Sequence, residues 1–152
     1  MAPAPNRYHQ DISRNLELML GNYLKSNPIG KMYHAPFDVV LGPFDVFQPD
    51  ILFVSSQRSP LLTEAGLEGP PDFVVEILSP KTAQLDLEAK RKLYLRHGVR
   101  ELWIINPDQR AILIYRPEED PANPVATHQE GDVIECPLFP GLRVDTVEVF
   151  AR

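Results

Sequence analysis

The 152-residue chain is 43% hydrophobic and 24% charged, enough for one packed core and too short for two, so a single domain over residues 1–152 is expected. A net charge of -6 argues against a protein that coats nucleic acid non-specifically, because such binding draws on clustered Lys and Arg. No apolar run could cross a bilayer, the leading MAPAPNRYHQD lacks a secretory signal's apolar core, and Cys136 stands alone; the expectation is a cytoplasmic protein with no internal disulfide and no Cys-based metal cluster.

From Tyr8 to about Ser26, Ile12, Leu16, Leu18, Met19, Leu20, Tyr23 and Leu24 recur at helical spacing, and Asn27, Pro28 and Gly30 end the run. The stretch KMYHAPFDVVLGPFDVFQPDILFVS reads as a hairpin broken at Gly42 and Pro43. Residues 57–71 mix Ser, Pro, Gly and Glu without a period and read as a surface loop, with a helical turn at Leu61 to Ala65. DFVVEILSP is apolar at nearly every position, as a central strand covered on both faces would be. TAQLDLEAKRKLYLRHG carries strong helix formers and closes at Gly98. ELWIINP and AILIYRP read as two further strands joined by a turn, and the Pro-rich segment 117–124 precedes short strands near Val133 to Cys136 and Val147 to Phe150. Strand, helix, strand in the middle of the chain implies a parallel pair, and the hairpins supply antiparallel neighbours. The expected fold is α/β (α+β), a mixed central sheet flanked by helices.

Glu76 is the most informative residue, because an ionised carboxylate within FVVEIL is buried at considerable cost unless it meets a partner. That partner could be a metal ion, an Arg or a Lys, or the group could be neutral; the bland alternative is an edge-strand Glu facing water. Asp50, after Gln48 and Pro49, is the second oddity, and the two carboxylates converge if their strands are neighbours. With the Ile77 carbonyl they would suit Mg2+, which takes oxygen ligands and keeps several waters; alone, Asp50 reads equally well as a strand-end residue. Asp86, Lys90 and Tyr94 follow at i, i+4 and i+8 along one side of the second helix. Lys90 can supply the fixed cation that phosphoryl chemistry needs, and Asp86 a further ligand or a partner for Lys90; an exposed ion pair explains the same pattern. His9, His34, His97 and His128 show no ligand spacing and read as surface or packing residues, and Trp103 as core. No nucleophile elbow surrounds Ser55, Ser56 or Ser79, and no glycine-rich phosphate loop is present.

QPDILFVSSQR, then GPPDFVVEILSP, then DLEAKRKLYLRHGVRELWIINP together resemble the Uma family of restriction-endonuclease-like proteins, in the PD-(D/E)XK nuclease superfamily. The resemblance runs from about His9 to Phe150 and implies the restriction-endonuclease-like core and Mg2+-dependent (or Mn2+-dependent) hydrolysis of DNA. Pro49 and Asp50 match the PD element, and Glu76 the second acidic position. Leu78 stands where the simple pattern has Lys, so the resemblance implies that the role has moved to Lys90 in DxxxKxxxY, with Gln48, Asp86 and Tyr94 in support. The family's acidic ELIDGE-like segment has no counterpart here, which would remove a motif-one Glu. A homodimer would present one site to each strand. The competing expectation is a nuclease-shaped binding or assembly module with little catalysis.

Overall fold

Ile12, Leu16 and Leu20 recur at four-residue spacing and are almost wholly buried, which seats one stripe of helix α1 (Arg7–Ser26) on the central sheet. Burial of side chains of this size contributes about 1.5–3 kcal/mol each. The helix ends where the Asn27 backbone and side-chain amides both donate to the Tyr23 carbonyl, and Lys25 in its last turn suits the negative end of the helix dipole. The structure is a computed structural model that describes residues 7–79 and 84–152; the side chains of residues 84–86 lie outside the description.

The stretch expected to be one hairpin is four strands in two sheets: β1 (Gly30–His34), β2 (Asp38–Gly42), β3 (Asp45–Phe47) and β4 (Ile51–Ser55). β1 pairs antiparallel with β4, and the β2–β3 hairpin bulges out between them into a separate sheet. The supposed loop is also more ordered than its composition implies. Its helical turn lies earlier, as a 3-10 helix at Ser56–Leu61, and β5 (Leu62–Thr63) and β6 (Gly66–Glu68) form a small hairpin. The Thr63 hydroxyl accepts the Ala65 and Gly66 N–H groups and so closes that turn.

β7 (Phe73–Ile77) is central, antiparallel to β4 and parallel to β8 (Glu101–Asn106), with helix α2 (Gln84–Arg96) between the parallel strands in the chain. Gly98, at φ 103°, ends the α2 segment in the left-handed conformation that a side chain would disfavour. β9 (Ala111–Tyr115) and β10 (Ala126–Gln129) complete a six-stranded sheet of order β1-β4-β7-β8-β9-β10, flanked by a four-stranded sheet of order β3-β2-β6-β5. β11 (Val133–Ile134) and β12 (Val144–Asp145) pair with each other. Residues Val147 to Phe150, expected as strand, belong to a helical turn, α3 (Thr146–Val149): the Asp145 carboxylate caps the Val147 N–H, and this outweighs the β preference of the valines.

The central sheet is covered on both faces, as the near-continuous apolar runs require. Ile51, Phe53, Phe73, Val75 and Ile77 face α1 and the C-terminal segment, while Leu52, Val54, Val74 and Ile104 face α2 and the small sheet. Trp103 is core, as expected, edge-on to Phe73. Buried Asp72 fixes the entry to β7 by accepting the Ser55 N–H at 2.7 Å and pairing with Arg58 at 3.4 Å. No helix among the described residues is long and apolar enough to cross a membrane.

Candidate active site

Glu76 lies on β7 with Val74 on the α2 face, only 8% exposed, so the solvent-facing alternative does not hold. Its Oε1 accepts a 2.7 Å hydrogen bond from the Tyr94 hydroxyl, which reaches across from α2. Tyr94 itself is fully buried and packs edge-on against Phe47. A buried carboxylate thus has at least one fixed donor, as burial requires.

Asp50 sits at the residue before β4. The β4–β7 register pairs Ile51 with Val75, and one further step brings Asp50 opposite Glu76. The Ile77 backbone N–H donates to Asp50 Oδ2 at 2.7 Å, tying this carboxylate to the residue after Glu76. The two acidic positions therefore share the end of one antiparallel ladder.

His9 is the member that spacing rules missed. Its Nε2 lies 3.4 Å from Asp50 Oδ1, the ring also hydrogen-bonds the Ile77 backbone, and it is 7% exposed. Burial alone would lower its pKa, but the Asp50 hydrogen bond and charge, the Ile77 backbone and the Glu76 charge outweigh it and hold His9 above its ordinary value. A signal was available: His9 stands three residues before Ile12 and so begins the same stripe that buries Leu16 and Leu20. A polar ring at the head of a buried stripe points to a partner.

Lys90 is one turn before Tyr94 on α2, partly buried, so it lies along the helix side that meets Glu76. The Asp86 side chain falls outside the described residues. Gln48 is exposed, and its amide donates to Asp38 Oδ1 at 2.8 Å, so it is engaged on the small sheet. Among the described residues no three His, Cys, Asp or Glu side chains form a ready-made metal cluster. A metal held by Asp50 and Glu76 would complete its shell with backbone oxygen and water, as Mg2+ or Mn2+ does. A groove of about 440 Å³ opens onto this centre, lined by His9, Arg14, Glu17, His34 and Asp50 among others.

No curated protein matches the chain. Among solved structures, a crystal structure described as a putative nuclease belonging to DUF820, from Anabaena variabilis, superposes with a TM-score of 0.78 at 22% identity, covering 97% of this chain and 83% of that one. The type IIG restriction endonuclease BpuSI aligns at TM-score 0.45 and 17% identity, and the chain spans 16% of its length. The first likeness shows that the chain shares the fold of that protein, a mixed sheet between helices. The family model described as "Putative restriction endonuclease" matches residues 1–148, and the chain belongs to that family, Uma2.

Proposed function

We propose that the protein is a divalent-metal-dependent endonuclease that hydrolyses DNA phosphodiester bonds at the end of the β4–β7 ladder. The observation that carries this reading is the position of Asp50, one residue before β4, across from Glu76 on β7, with each carboxylate held by a short hydrogen bond. Asp50, Glu76 and the Ile77 carbonyl would hold Mg2+ or Mn2+. Such an ion supplies neutralisation of phosphate charge and a lowered pKa for water. Tyr94 fixes the rotamer of Glu76, and the Ile77 N–H and His9 fix Asp50. Lys90 supplies positive charge to the phosphoryl oxygens as negative charge accumulates on them.

A second reading, a nuclease-shaped binding or assembly module, draws on Leu78 at the position of the strand lysine and on the partners both carboxylates already possess. Plasmid and linear DNA incubated with Mg2+ or Mn2+ separates the two. Cleavage that is abolished in Glu76→Gln and reduced at least a hundredfold in Lys90→Ala supports the enzyme. Unchanged cleavage in Glu76→Gln assigns the activity to another protein, and no cleavage by the unaltered chain favours the module.

A further inference from the structure

A second cavity, of about 540 Å³, is lined by residues that neighbour those of the Asp50–Glu76 centre in the chain. Tyr8, the neighbour of His9 on α1, forms one wall, and Leu78 and Ser79, which follow Ile77, form another. Among the described residues, two arginines, Arg7 and Arg152, and one acid, Asp108, line it. These described side chains bring two arginines together with a single aspartate in a chain of net charge -6. A third cation nearby, Arg110, is matched by Glu130.

Arg152 is held in place. Its guanidinium lies over the Tyr8 ring, 4.0 Å from the centroid. The backbone leading to it is fastened to α1: the Asn15 amide donates to the Val149 and Ala151 carbonyls, and the Tyr8 hydroxyl donates to the Phe150 carbonyl at 2.7 Å. A guanidinium stacked by its face keeps its N–H edge for planar oxygen acceptors, and a seated side chain loses less entropy on binding than a mobile one. Asn106 adds an amide to the same cavity.

We infer that this cavity is a subsite for a backbone phosphate flanking the scissile one, contacted by Arg7 and Arg152. The inference rests on the nuclease reading for what it flanks, but its test is binding. Affinity for a short labelled DNA duplex is measured by fluorescence anisotropy over a salt series, with Ca2+ replacing Mg2+ so that turnover is suppressed. Arg7→Ala and Arg152→Ala, both exposed positions, should each weaken binding roughly tenfold. The double variant should lower the slope of log affinity against log salt by about 1.8. Circular dichroism melting checks that both variants fold.

An unchanged slope in the double variant overturns the subsite, as does absence of DNA binding by the unaltered protein. Inorganic phosphate binding as tightly as the duplex would overturn the assignment to a strand phosphodiester. Arg-dependent binding without cleavage in Mg2+ would keep the subsite and remove the hydrolytic reading; cleavage lost in Glu76→Gln with binding retained supports both.

Discussion

The Tyr94 hydroxyl donates to Glu76 Oε1 at 2.7 Å, so the helix that follows the central strand reaches back to hold that strand's buried acid. Tyr94→Phe removes the donor and leaves the ring against Phe47. Loss of one hydrogen bond to a buried charged acceptor should lower stability by about 1.5–3 kcal/mol. Urea unfolding measures that loss, and calorimetric titration with Mn2+ should show weaker binding as Glu76 loses its fixed rotamer. Unchanged values in both experiments would mean that Tyr94 only packs.

His9 carries a pH signature in the metal-free protein. Its pKa is raised above 6.5, because Asp50, the Ile77 backbone and Glu76 outweigh the opposing effect of burial. The folded state therefore holds the proton more tightly than the unfolded chain does. This stabilisation is complete below the ordinary value and disappears as pH rises through the raised one. The stability gap between the native protein and His9→Gln should be widest near about pH 6 and narrow in alkali. Urea midpoints across a pH series check the sign, and a gap that grows with pH contradicts it.

Far from the site, Glu101 is 1% exposed, accepts the Trp103 indole N–H at 2.7 Å and pairs with Arg116 at 2.6 Å. Arg116→Ala strands a buried carboxylate and should cost about 3–5 kcal/mol. Adding Glu101→Gln removes the charge while keeping an acceptor for the indole, so much of the loss should return. Thermal melts of the single and double variants measure this coupling.

Cys136 offers a simple probe of the fold. Burial, then the neighbouring Glu101, pushes its thiol well above the ordinary range, which denies it the reactive thiolate. A thiol reagent at neutral pH should leave the folded protein unmodified and label one group per chain after denaturation. Rapid labelling of the native state would show that the C-terminal segment opens readily.

Long-period signals were legible. The burial of Glu76 follows from its five apolar neighbours in FVVEIL, and α1, β7, α2, β8 and β9 follow from apolar spacing. The opposition of Asp50 and Glu76 needed strand pairing, which the sequence states only through the family resemblance. Short elements were lost for local reasons. β10, spelled ATHQ, is an edge strand with little apolar content, and the Val147 turn depends on a single capping carboxylate. His9 was missed because ligand-spacing rules look for pairs along the chain, whereas its partner lies 41 positions away in sequence and 3.4 Å away in space.

The hydrogen bond from Tyr8 to the Phe150 carbonyl joins positions separated by 142 residues. Together with the Asn15 amide, it means that the helix carrying His9 is seated in part on the Val149 to Ala151 backbone, which is made long after it. Contacts of such separation form slowly, because loop closure must precede any gain from them. Phe150 is made after both residues of the acidic pair, so the full docking of α1 follows their synthesis, and a chain cut back before Phe150 keeps Asp50 and Glu76 without the full seat of the histidine beside them.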